Sequence, residues 1–128
     1  MTDYLTVIEV LLIHHDQIER YGGIPGIRDP GLLEAALFRP QTGHYADLIE
    51  EAAALWESLA QNHPFFDGNK RTAFAVTYTF LVINGARLDA DAGETHQFIS
   101  GLYDANNFRF ARLVQWLRTH TSLNGEGK

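Results

Sequence analysis

The 128-residue chain contains no cysteine, which excludes disulfides and thiolate metal sites and fits a reducing compartment, here expected to be the cytoplasm. Lysine is nearly absent as well. One of the two lysines is Lys128 at the end of the chain and the other is Lys70, while eight arginines carry the rest of the positive charge. Set against 16 acidic residues, this leaves a formal net charge of −6, which repels nucleic acid at long range and provides no basic stripe for reading DNA. No run is apolar for long enough to cross a bilayer; the longest uncharged one, Thr72 to Ala86, contains Thr77, Thr79 and Asn84. Asp3 and Glu9, with no basic residue before them, are unlike a secretion signal. The expectation is a soluble chain with no membrane partner and no direct nucleic-acid partner. Repeats and linkers are absent too, so residues 1–120 are expected to form a single domain, long enough for one core.

Helical periodicity fills most of the chain. Leu5, Ile8, Leu11, Leu12 and Ile18 predict a helix from about Tyr4 to Arg20, ended by Gly22 and Gly23. The adjacent His14 and His15 point about 100° apart on such a helix, so they do not readily share a metal and read as packing or surface residues. Asp29-Pro30 reads as N-cap and first residue of a short helix through Leu33, Ala36 and Leu37. An irregular stretch from Arg39 to Ala46 leaves His44 and Tyr45 available to a pocket. Asp47 and Glu50 then form a capping-box-like start for a helix through Ala52, Leu55, Trp56 and Leu59 to about Asn62. The uncharged run after Arg71 predicts a helix buried on nearly every side, with Gly85 as its C-cap. A shorter helix is expected over 93–103, and Asn106 or Asn107 is expected to cap a last one through Phe110, Leu113, Val114 and Leu117. Arg109, Arg112 and Arg118 lie on its other side and read as solvated. Residues 121–128, with two glycines and one apolar residue, are expected to be disordered. No stretch alternates strongly enough to demand a strand. The fold class is therefore all-α, a compact bundle of about six helices around a central buried helix.

The chemistry concentrates between His63 and Thr72, which read His-Pro-Phe-Phe-Asp-Gly-Asn-Lys-Arg-Thr. The Asp-Gly-Asn turn opens the central helix, so Lys70 and Arg71 fall where the helix dipole already places about half a positive charge. Each should cost roughly 0.3–1 kcal/mol unless an anion compensates. Free N–H groups, a glycine that lets a ligand approach the backbone and two cations together make an anion site, most plausibly for phosphate. His63, four residues before Asp67, titrates near neutrality and can take a proton from a hydroxyl. A base, a carboxylate and a phosphate cradle within nine residues suggest phosphoryl or nucleotidyl transfer. The bland alternative is a turn whose Asp caps a helix and whose His is merely exposed. Pro64 forbids simple continuation of the preceding helix, which leaves His63 at a helix-to-loop junction.

The stretch from His63 to Arg71 resembles the signature of the Fic/Doc superfamily, and specifically its Doc (death-on-curing) branch, toxins of prokaryotic toxin–antitoxin modules. The broader Fic pattern has Gly at the place of Lys70 and a second Arg at the place of Phe74, and both departures point to Doc. Gly22 to Asp29, Leu32-Leu33-Glu34 and Asn84-Gly85 extend the similarity from about Leu5 to about Leu88. The resemblance implies the all-α fold and a set of roles. His63 would be the general base acting on a hydroxyl of a protein substrate, and Asn69 would hydrogen-bond phosphate oxygens. The N–H groups of Gly68 to Arg71 would form the anion hole, with Lys70 and Arg71 neutralising phosphate charge. Asp67 would hold magnesium or orient the base, and Phe65 would anchor the loop in the core. Arg28 either pairs within its loop or helps line the groove of the site. The implied co-substrate is ATP with magnesium, and the implied reaction moves its γ-phosphate to elongation factor Tu. Adenylyl transfer is the runner-up, and a catalytically weak antitoxin-binding module is a third reading. The implied partner is a cognate antitoxin whose C-terminal segment folds as a helix into a groove beside the motif.

Overall fold

The computed structural model describes residues 1–123, and they form six α-helices and one two-stranded ribbon. Helix α1, Val7–Tyr21, starts with a capping box between Thr6 and Glu9. Helix α2, Pro30–Phe38, starts as expected, with the Asp29 side chain accepting from the Leu32 N–H and Pro30 in the first turn. A 3₁₀ turn, Arg39–Gln41, follows and buries Pro40. Helix α3, Leu48–Asn62, is capped by Asp47, but Glu50 reaches back to the Ala46 N–H rather than to Asp47 itself. After the motif come α4, Asn69–Ile83, strand β1, Ala86–Leu88, helix α5, Ala92–Asp104, helix α6, Phe110–His120, and strand β2, Thr121–Leu123.

Two expectations fail here. Residues 121–123, placed in a disordered tail, are strand β2, paired antiparallel with β1 in the register Ala86↔Leu123, Arg87↔Ser122 and Leu88↔Thr121. Three-residue strands are too short to show an alternation, and the partners lie far apart in the chain. The remainder of that predicted tail, 124–128, lies outside the described residues. The second failure is the cap of α6. Asn106 takes the left-handed conformation (φ 51°) and closes α5 instead, in a Schellman arrangement with Asn106 N–H donating to the Tyr103 carbonyl and Asn107 N–H to that of Leu102. The start of α6 is served from another helix, because the Glu57 carboxylate accepts from the Phe110 N–H at 2.7 Å.

The core gathers around α3, whose Trp56 touches the rings of Phe74, Phe98, Phe108 and Trp116. Helix α4 packs against α3 through Thr72, Ala73, Val76, Thr77, Phe80 and Leu81, all buried. Its burial is one-sided, however: Tyr78, Val82 and Ile83 are 46, 49 and 42 % exposed, so the uncharged run presents an apolar face as well as filling the centre. Tyr45, expected near a pocket, packs on Phe110 and accepts a hydrogen bond from Arg39 Nε instead. Arg118 is not free in solvent, since it pairs with Asp47 and Glu50.

Candidate active site

The motif loop is held by three elements that converge on it. His63 closes α3 in the left-handed conformation (φ 49°, ψ 57°), because the following proline disfavours the helical region for the residue before it. Arg28 secures this unusual end: its Nε donates to the His63 carbonyl at 2.7 Å and its Nη2 to the Asn62 carbonyl at 3.0 Å. Arg28 therefore neither pairs with a carboxylate in its own loop nor lines the groove; it places a cation on the C-terminal carbonyls of α3, the favourable end of that dipole. The glycine-rich loop then runs antiparallel to the motif. Arg28 and Asp29 N–H groups donate to the Pro64 carbonyl, Ile27 bridges Phe65, and the Phe66 N–H donates to Gly26.

Phe65 is buried, as expected, and the His14 ring lies flat against it, with centroids 3.8 Å apart and planes within 5°. His14 Nε2 is 2.9 Å from the Asp67 carbonyl oxygen; that oxygen can only accept, so Nε2 carries the proton. The two adjacent histidines of α1 thus part company, His14 buried as a brace for the motif turn and His15 at the surface beside Glu19. The signal for His14 was its register with Val10, one turn earlier on the buried face.

Asp67 accepts from the Ile24 N–H at 3.1 Å and from the Gly68 N–H at 2.8 Å. These two bonds, the Ile24 one first, hold its carboxyl below the usual carboxylate range. The fit is close enough that a Cβ on Gly23 would lie 2.8 Å from Asp67 Oδ2. Asp67 does not cap α4, contrary to the bland alternative. Asn69 also braces the loop. Its side-chain oxygen accepts from the Phe65 N–H at 3.0 Å and its amide donates to the Phe65 carbonyl at 2.9 Å. The side-chain oxygen and one amide hydrogen of Asn69 thus brace the loop backbone, and its second amide hydrogen is not used in these bonds.

The start of α4 is left open. Gly68 is its N-cap, left-handed at φ 73°, and no side chain accepts from the first turn, so the N–H groups of Asn69, Lys70 and Arg71 are the orphan donors of an uncapped helix. The two cations beside them are compensated from within the chain. Arg71 donates to the Tyr21 and Gly22 carbonyls at the C-terminal end of α1, at 3.3 and 2.9 Å, and Lys70 lies over the ring of Tyr103. Arg71 is thereby a strut between two helices, and Lys70, like Arg71, has no carboxylate partner among the described residues.

Lys70 and Arg71 also reach a groove of about 1050 Å³ between α1, α4 and α5, with Leu12, Phe74, Tyr78 and Ile99 among its apolar walls and Asp16 and Asp104 also lining it. His63, Asp67, Gly68 and Asn69 do not line it. His63 at the C-terminal end of α3 and Lys70 in the first turn of α4 are both exposed. No cluster of three or more metal-ligating side chains occurs among the described residues. Asp67 stands alone, with one lone-pair direction left on each oxygen, which suits a magnesium ion that takes its other ligands from phosphates and water.

Comparison with known proteins agrees with the motif. A model of the Fic/DOC family matches residues 4–81. The chain is 48 % identical over 96 residues to the protein named Toxin Doc of Mycolicibacterium smegmatis, which covers 71 % of this chain and 72 % of that one. It is 39 % identical over 84 residues to the Protein kinase doc of Escherichia phage P1, covering 62 % and 67 %. Both alignments join what the loop geometry and the Lys70 position separately suggest, and the chain belongs to the Fic/DOC family, on its Doc branch.

Proposed function

We propose that the chain is the toxin of a cytoplasmic toxin–antitoxin pair and transfers the γ-phosphate of ATP to a hydroxyl of elongation factor Tu. The observation that carries this reading is an exposed histidine, His63, one short loop before an uncapped helix start that also bears Lys70, which has no carboxylate partner among the described residues. His63 takes the proton from the acceptor hydroxyl, whose oxygen forms the new bond to the γ-phosphorus as the bond to the ADP oxygen breaks. The N–H groups of Asn69, Lys70 and Arg71 donate to the charged oxygens of the phosphate tail, and the Lys70 ammonium offsets the charge that gathers there. Asp67, anionic and fixed by Ile24 and Gly68, would hold magnesium, which supplies charge neutralisation between phosphates when bound. The name of the phage relative, a protein kinase, supports the choice of phosphoryl over adenylyl transfer, as does a lysine where Fic proteins carry glycine.

The groove supports an antitoxin partner. Its apolar walls and two lining aspartates suit an amphipathic helix with an apolar face and a basic flank, laid along α1, α4 and α5. Such a helix would cover Lys70 and leave His63 uncovered.

ATP labelled at the γ- or the α-phosphate separates the readings when incubated with elongation factor Tu. Label from the γ position on the acceptor supports the kinase, label from the α position supports adenylyl transfer, and neither supports a pure antitoxin-binding module. His63→Ala should lower transfer by about 10²–10⁴-fold with an unchanged helical spectrum; full activity in that variant would remove His63 as the base. Lys70→Gly should weaken γ-transfer or move it toward α-transfer.

A further inference from the structure

The α5 wall of the groove contains a tyrosine with no part in the steps above. The ring of Tyr103 is stacked on Phe108, with centroids 4.6 Å apart and planes within 15°. Phe108 is buried, so the tyrosine ring is fixed from the core side. Over that ring stands the Lys70 ammonium, 4.0 Å from the centroid, well inside the ~6 Å range of a cation–π contact. The Tyr103 hydroxyl is buried and has no hydrogen-bond partner, and burial pushes its pKa up to about 12. It stays neutral, so the lysine answers to the face of the ring and not to a phenolate.

The geometry points to Tyr103 as a positioning residue for the phosphate-binding lysine: its ring face holds the Lys70 ammonium beside the open amides of α4, ready for the nucleotide tail. This rests on the phosphotransfer reading above and extends it to a residue of another helix. A lysine has a long, flexible stem, and the N-terminal end of a helix repels its charge. Left to itself, the ammonium would swing into solvent away from that end. A ring placed under it by α5 removes that freedom before the nucleotide arrives, and phosphoryl transfer depends mainly on such positioning.

Two variants and one spectrum test the assignment. Tyr103→Phe keeps the ring face and deletes the unpartnered hydroxyl; Tyr103→Leu keeps an apolar side chain and deletes the face. The chain has two lysines, so protein labelled with ¹³C-lysine gives two sets of side-chain signals. The Lys70 ε-protons should be shifted upfield by the ring in wild type and in Tyr103→Phe, and should return to the random-coil position in Tyr103→Leu. Initial rates with γ-labelled ATP and elongation factor Tu should follow: wild-type rate in Tyr103→Phe, and a kcat about tenfold lower in Tyr103→Leu with the KM for the acceptor protein unchanged. Lys70 signals at random-coil positions in the wild type alone overturn the contact, whatever the variants do. A wild type that transfers no label from either position overturns the phosphotransfer reading and the tyrosine's part in it together. An active wild type with an equally active Tyr103→Leu overturns the tyrosine alone.

Discussion

Helices α3 and α4 have fifteen residues each and meet at the motif, yet they handle charge and burial in opposite ways. Helix α3 carries Glu50, Glu51 and Glu57 and still buries nine residues, because its carboxylates leave along its edges: Glu51 accepts from the Tyr4 hydroxyl, Glu57 from Arg39 and the Phe110 N–H, and Glu50 pairs with Arg118. Helix α4 has no charged residue after Arg71, and yet Phe74, Ala75, Tyr78 and Thr79 on it line the groove. Their facing ends differ in the same sense. The C-terminal end of α3 is filled by Arg28, whereas the N-terminal end of α4 has no side-chain cap. An uncharged stretch can thus form a groove wall as well as interior, and the two facing helix ends differ in whether a side chain satisfies their backbone groups.

The widest gap between the two helices should appear on truncating one ring in each. Trp56→Ala removes the aromatic centre of the core and should cost about 3–5 kcal/mol, read as a lower urea midpoint. Tyr78→Ser, on the exposed side of α4, should change stability by less than about 0.5 kcal/mol while weakening binding of the antitoxin. Equal losses of stability from the two would mean that the α4 face is ordinary core.

Much of this contrast was legible beforehand, and what was not has physical reasons. Period and capping located the helices, because a cap such as Asp29-Pro30 or Asp47 needs only its own next turn. The motif located the turn on which the candidate site is built. What stayed hidden depends on partners distant in sequence: the Asn69 amide is claimed by Phe65, Arg71 by the end of α1, Arg28 by the end of α3, and the start of α6 by Glu57. Side chains that bind a ligand and side chains that brace the loop are of the same types, so residue identity alone did not reveal that Asn69 and Arg71 brace it. The half-exposed state of α4 stayed hidden for a related reason, since an apolar residue reads the same whether its cover is the core or another chain.

The open end of α4 depends on a glycine. Gly68 is left-handed at φ 73°, and a Cβ there would approach Ile18 Cδ1 to 3.2 Å. Gly68→Ala should cost about 1–2 kcal/mol in backbone conformation, and it should lower γ-transfer further by narrowing the approach to the amides. A variant with wild-type stability would show that the turn has another conformation available. The filled end of α3 should respond less. Arg28→Ala removes two hydrogen bonds to carbonyls at an exposed site and should cost about 1 kcal/mol, together with a drop in transfer, because the His63 carbonyl loses its anchor. Arg28→Lys, with one point charge in place of a fork, should restore only part of either.

The smallest effect should lie in the turn between the two helices, and it has a sign. Asp67 is held below its ordinary range in the folded chain, so folding favours its ionised form. Its contribution is complete above about pH 4, near the unfolded value, and is lost as the pH falls through the lower folded value. Asp67→Asn lacks that contribution at every pH. The gap between wild-type and variant urea midpoints should therefore be widest at pH 6 and should close toward pH 3, while carboxylates common to both, such as Glu9 and Asp47, cancel in the difference. A gap that stays constant across that range would mean that the Ile24 and Gly68 N–H groups need only an oxygen at this position, and that the charge of Asp67 belongs to the ligand side of the turn.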